Sequence, residues 1–229
     1  MPFDANRQTR LWAADPPSRA SQASKPSEGA AATPPGDFRQ ATDEARKALA
    51  RRDLAAAKKL LDAAAKHARE PKELEEVDRL ETLWDHLDQF WEAIRTGLTK
   101  FSDVEEINVK GMPVIVVESD RDHIVVRFSG RNRRYDIETM PTSLVMTVVK
   151  RFVADDVSSH AVVGSFLAVD PKGDRAVAKK YWKEAAAEGI DTEKLLAEIG
   201  LFPLAPAATE PKGDGKAPAS GENTNRAKR

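Results

Sequence analysis

Cysteine is absent from this chain. That excludes disulfides, thiol catalysis and cysteine metal sites together. Histidine is scarce, with four residues: His67, His86, His123 and His160. They are scattered, and none has a second histidine or a carboxylate at a recognised metal-ligand spacing. Asp85, His86 and Asp88 are neighbours in sequence, but they fall on the polar side of a long helical pattern. No apolar run approaches the ~20 residues that span a bilayer. The first residues lack the apolar core of a signal peptide. The expected compartment is therefore the cytoplasm, or the cell envelope if the true start lies upstream. An excess of charge is missing too: 36 Lys and Arg oppose 37 Asp and Glu. A net charge of −1 gives no global pull towards nucleic acid or anionic lipid.

Catalytic motifs are also lacking. Gly111, Gly130 and Gly173 are isolated turn glycines, and Gly164-Ser165 lies inside an apolar helical pattern, so no glycine-rich phosphate loop exists. No nucleophile elbow occurs. Glu118, Asp120 and Asp122 cluster, but without the donor ladder and glycine of an EF-hand loop they form a solvated hairpin turn. The expectation is a non-enzymatic chain with no catalytic residue, no cofactor and no metal.

What is present centres on Lys72 to Phe101. Val77, Leu80, Trp84, Leu87, Trp91, Ile94 and Leu98 follow at alternating steps of three and four, which places them on one side of a helix. Leu83 and Phe90 widen the stripe. Asp78, Glu81, Asp85, Glu92 and Arg95 form the wet face. Trp84 and Trp91 fit poorly into the holes of a two-stranded coiled coil, so the stripe is expected to pack within the chain.

Residues 1–36 are rich in Pro, Ala, Ser and Gly and too poor in apolar residues to offset ordering entropy. They form an expected disordered tail, in which Leu11-Trp12 is the one candidate docking peptide. Asp37 and Gln40 have capping-box spacing, and Ala41, Ala45, Ala48 and Leu49 mark a first helix. Arg51-Arg52-Asp53 makes a turn. Leu54, Ala57, Leu60, Leu61, Ala64 and Ala68 mark a second helix that pairs with the first as a hairpin. Pro71 suits the first turn of the long helix.

Asp53, Ala57, Leu61 and Ala64 resemble the second half of a tetratricopeptide repeat. Asp174, Ala178, Trp182 and Ala185, preceded by Gly173, resemble it again. The resemblance implies a helical hairpin of that general shape; together with the absence of catalytic motifs it points to an interaction role. The order of helices, a small meander and then Phe-Leu-Ala-Val-Asp-Pro-Lys-Gly-Asp also resembles uncharacterised proteins of planctomycete-type bacteria, which implies no activity.

After Phe101 the period shortens to two. Glu106–Val109, Pro113–Val117, Ile124–Phe128 and a last strand with Tyr135 and Ile137 make a four-stranded antiparallel meander. Its turns are Lys110-Gly111, Ser119–Asp122 and Ser129–Asn132. Such a sheet needs a helix on its apolar face, and Trp84, Phe90 and Trp91 of the long helix are the expected cover. Pro141 opens a helix with Leu144, Val145, Val148, Val149 and Phe152. A further one carries Val162, Val163, Phe166 and Leu167. Asp174 caps the next and Asp191 the last, which carries Leu195, Leu196 and Ile199.

The fold expected is thus α+β. One domain spans 37–203: helical over 37–101, a β-meander over 102–140, and helical again over 141–203. A second disordered tail covers 204–229. The candidate binding residues are Arg127, Arg131, Arg133 and Arg134, near Phe128 and Tyr135. Basic residues interleaved with aromatics on a small sheet can track a nucleic-acid backbone and stack bases. Alternation, however, places Phe128 with Ile124 and Val126, and Tyr135 with Ile137, facing the core. A protein-interaction or scaffolding role with a protein partner is the leading expectation. Nucleic-acid or anion binding through the Arg127–Arg134 hairpin is the alternative.

Overall fold

A computed structural model of the chain describes residues 37–102 and 104–204. Both expected tails, and Leu11-Trp12 with them, lie outside the described residues except for exposed Leu204. The architecture is α+β. Three helices come first: α1 (Phe38–Ala50), α2 (Leu54–His67) and α3 (Pro71–Leu98). A sheet follows: β1 (Glu105–Val109), β2 (Met112–Ser119), β3 (His123–Phe128) and β4 (Arg131–Asp136). Then come α4 (Thr142–Phe152), α5 (Val157–Val169), α6 (Arg175–Ala187) and a short 3-10 helix, Glu193–Glu198. No described helix is long and apolar enough to cross a membrane.

Four aspartates start helices by accepting otherwise unpaired backbone N–H groups. Asp37 accepts from Gln40 at 2.7 Å, Asp53 from Ala56 at 2.9 Å and Asp156 from Ser159 at 2.8 Å. Asp174 accepts from Ala176 at 2.9 Å and Val177 at 3.1 Å. Glu70 and Glu73 form a capping box before α3, with Pro71 in the first turn. Asp191 is not a cap: Thr192 holds that position without a side-chain bond, and Asp191 instead pairs with Lys194 at 3.1 Å. Thr192 turns its hydroxyl the other way, donating to the Trp182 carbonyl at 2.6 Å.

The sheet is fully antiparallel in the order β1-β2-β3-β4. Lys110 and Gly111 both take positive φ, as do Ser129 and Gly130. These are two-residue hairpin turns whose twist matches the strands. The second is shorter than the four residues expected from Ser129–Asn132. Arg131 and Asn132 belong to β4, where Arg131 pairs with Phe128 and Asn132 with Arg127.

One continuous core joins the helices to the sheet. The α3 stripe is buried as expected, apart from half-buried Trp84, whose indole N–H donates to the Leu54 carbonyl at 2.9 Å. Its rings do not chiefly cover the sheet. Phe90 stacks on Phe166 of α5 with centroids 4.3 Å apart, and Trp91 meets the same ring edge-on at 5.5 Å. The helix packed along the sheet at β1 is α4. The central element is α5, buried continuously from Val163 to Asp170. A Cβ on Gly164 would stand 2.9 Å from Trp182, so the missing side chain lets α6 come close.

Two polar knots bind distant segments. Arg52 donates to the carbonyls of Glu138 at 3.2 Å and Met140 at 2.7 Å, and to the Asp170 carboxylate at 2.7 Å. Glu198 is fully buried and receives Arg46 at 2.9 Å and Arg79 at 3.0 Å, while Arg46 also reaches Glu76 at 2.8 Å. Each buried charge thus has several charge-assisted partners, which burial requires.

Candidate functional site

A groove of about 980 Å³ runs alongside β1. Glu106, Ile107 and Asn108 form one wall, Met146, Thr147 and Lys150 of α4 the other, and Leu167 contributes to the floor. Contacts from Thr147 to the Asn108 carbonyl and from Arg151 to Glu105 show that α4 runs antiparallel to β1.

β1 is an edge strand, paired only with β2. Val109 and Met112 flank the two-residue turn, so they form a hydrogen-bonded pair. Alternation then puts Ile107 and Glu105 in the ladder and leaves Glu106 and Asn108 pointing outward. Pro113, opposite Asn108, agrees, because it has no N–H to give. The free edge therefore opens on the groove. Thr147 contacts the Asn108 carbonyl at only 3.4 Å but the Ser143 carbonyl at 3.0 Å. Its single proton favours the nearer acceptor, and the Asn108 carbonyl keeps a second lone pair for another donor.

The groove is basic. Lys110, Lys150 and Lys172 line it, and none forms an ion pair with a described residue. Arg151 is neutralised by Glu105. Of the two lining carboxylates, Glu106 and Asp174, the latter is engaged in capping α6. The other threonine hydroxyl on the wall, Thr142, donates to Asp170 at 2.9 Å.

A smaller cavity of about 170 Å³ shares Pro141 and Ser143 with the groove and opens onto the sheet beside Phe128, Arg133 and Tyr135. The register divides the four arginines. Arg131 and Arg133 pair with Phe128 and Val126, and lie on their face together with Tyr135. Arg127 and Arg134 lie on the opposite face, where Arg127 donates to Asn132 at 2.9 Å and Arg134 to Asp136 at 3.2 Å. The single basic patch expected from sequence is thus two half-patches. Phe128 and Tyr135 face inward as parity predicts, yet both stay only half-buried because the cover stops short of them.

Among the described residues, no group of three or more His, Asp or Glu side chains is placed to hold a metal ion. His123 is buried between Asp120 at 2.8 Å and Glu118 at 3.3 Å. Backbone N–H bonds, from Asp122 first, hold the Asp120 carboxyl below its usual range. His160 stacks on Tyr181 and contacts Asp155 at 2.8 Å. His86 is not on the wet face assigned to it: it is half-buried, with Nδ1 2.8 Å from Ser165 Oγ. No family model, curated protein or solved structure matches the chain.

The groove is not visible in the sequence because its two walls come from segments about forty residues apart. Only the shortness of the meander, which guarantees an edge strand near each end, hinted at it.

Proposed function

We propose that this chain is a non-enzymatic protein-interaction module and that its contact surface is the groove between β1 and α4. The observation that carries this reading is the free edge of β1 opening onto a built concavity. An unpaired edge is a template for another backbone, and folds that leave one beside a helix recognise peptides by adding a strand. The protecting devices differ between the two edges. β4 carries Arg131, Arg133 and Arg134 along its length, charges that discourage pairing, whereas β1 carries Glu105 and Glu106 at its start and then Ile107, Asn108 and Val109 without charge.

Glu106→Pro removes one outward N–H without breaking the β1–β2 ladder, and Met146→Arg fills the groove from α4. Partners recovered by affinity capture should be lost in both variants, with circular dichroism unchanged. Partners retained by both folded variants would move the contact to another surface and defeat the proposal.

A second reading has one specific observation behind it. Arg131 and Arg133 share a face with half-exposed Phe128 and Tyr135, the combination that single-stranded nucleic acid uses.

A further inference from the structure

We infer that the β1 groove takes an extended segment carrying acidic, apolar and acidic residues at alternate positions, added as a fifth strand along β1. This inference rests on the interaction reading and names the partner's chemistry.

The unpaired cations lie at the two ends of the groove. Because α4 runs antiparallel to β1, Lys110 lies towards the Ser143 end. Lys172 lies there too, since its N–H and the Thr142 hydroxyl both donate to Asp170, at 2.8 and 2.9 Å. Lys150 stands at the other end. Between them the apolar lining is Ile107 and Met146, beside Thr147, and Leu167 contributes nearer Lys172. From Ser143 to Lys150 the helix rises by about 10 Å. An extended chain covers about 13 Å in four residues, and residues i, i+2 and i+4 share one face. A carboxylate at i, an aliphatic side chain at i+2 and a carboxylate at i+4 therefore match the sequence of cation, apolar floor and cation. Three lysines without described ion-pair partners, against Glu106 as the one unengaged carboxylate in the lining, make a basic peptide a poor fit. The outward groups of Glu106 and Asn108 supply ladder bonds.

The test uses the full chain and a labelled synthetic peptide, Ser-Glu-Thr-Val-Thr-Glu-Ser, read by fluorescence anisotropy. A second peptide has lysine in place of both glutamates. A third keeps the glutamates but is N-methylated at alternate residues, which removes ladder donors without touching the protein. Only the first should bind the wild type. Lys150→Glu combined with Lys172→Glu should weaken it at least about tenfold and admit the lysine peptide. Glu106→Pro should weaken the first peptide comparably. Failure of the first peptide to bind would overturn the inference. So would equal binding of the N-methylated peptide, because charge alone would then hold the segment. If Glu106→Pro and Met146→Arg release captured partners while no acidic peptide binds, the groove remains the interaction surface and only this occupant is wrong. If captured partners persist in both, the groove reading itself fails.

Discussion

Arg52 joins two segments far from it in sequence. It sits in the turn after α1 with φ of 65°, a left-handed conformation that costs a non-glycine residue about 1 kcal/mol. In return its guanidinium reaches the segment after β4 and the C-cap of α5, and lies 5.0 Å from the Trp91 ring centre. The fork geometry of arginine makes this possible, and lysine would lose most of it. From sequence, Arg51-Arg52-Asp53 shows a turn and a cap, but nothing local indicates that Arg52 points inward. His86 is a similar case. Its neighbours Asp85 and Asp88 give it a polar setting on paper, yet rotation around the helix brings it to Ser165. Burial, aided by Lys194 and opposed by Asp85, holds its pKa below the ordinary value. A depressed histidine favours the fold when neutral. Its contribution is complete above the unfolded pKa of about 6.5 and is lost as pH falls through that value towards the folded pKa, because the unfolded chain takes the proton first. Urea unfolding at pH 7.5 and 5.5 should therefore show a smaller acid loss for His86→Gln than for the wild type. The slope removed is at most about 1.4 kcal/mol per pH unit. Equal losses in both proteins would mean that His86 takes up its proton as readily in the fold as in the unfolded chain.

At the scale of elements, periodicity was the legible signal. The spacing on α3 named the buried side correctly at every position except half-buried Trp84. It did not name the partner, because a stripe records what leaves water and not what replaces it. Leu87→Ala removes a side chain that is 2% exposed, and should cost about 2–5 kcal/mol in chemical denaturation. Sedimentation should find no change of oligomeric state, since the stripe is covered by α2, α4 and α5 of the same chain. A folded monomer of equal stability, formed from a dimeric wild type, would reverse that assignment. α5 was less legible. It is apolar nearly all round, so Val162, Val163, Phe166 and Leu167 identify it without showing that Gly164 and Ser165 are equally enclosed. The β3–β4 hairpin shows the reverse error. Parity placed Phe128 and Tyr135 correctly, but a turn read two residues too long hid the split of the arginines. If that hairpin binds single-stranded RNA, Arg131→Ala with Arg133→Ala should lower the salt slope by about 0.7 per lost contact. Arg127→Ala with Arg134→Ala, on the other face, should leave it unchanged. Equal effects of the two pairs would exclude a one-faced site.

For the whole molecule, the α+β class and the order of elements follow from the sequence, since the change of period at Phe101 separates helix from sheet. Its stability is distributed unevenly. The sheet has one face on the core and two open edges, whereas α5 is enclosed from Val163 onward. Backbone hydrogen bonds open most readily where few apolar contacts protect them. Hydrogen-exchange mass spectrometry should find β1 and β4 exchanging well before Val163–Val169. Simultaneous exchange would make the whole fold one cooperative unit. The groove lies beside β1, on the side expected to exchange first.

The buried knot at Glu198 also sets an order of events in time. Arg46 and Glu198 are separated by 152 residues. At about 5–20 residues per second, a growing chain exposes Arg46 some ~8–30 s before Glu198 has been made. During that interval α1, α2 and α3 can all be present, with Glu76 as the nearer counter-ion to Arg46. The last strong partner of the first helix is thus delivered by the last helix. On the ribosome, the N-terminal helices must wait for nearly the entire domain before their charges are fully matched.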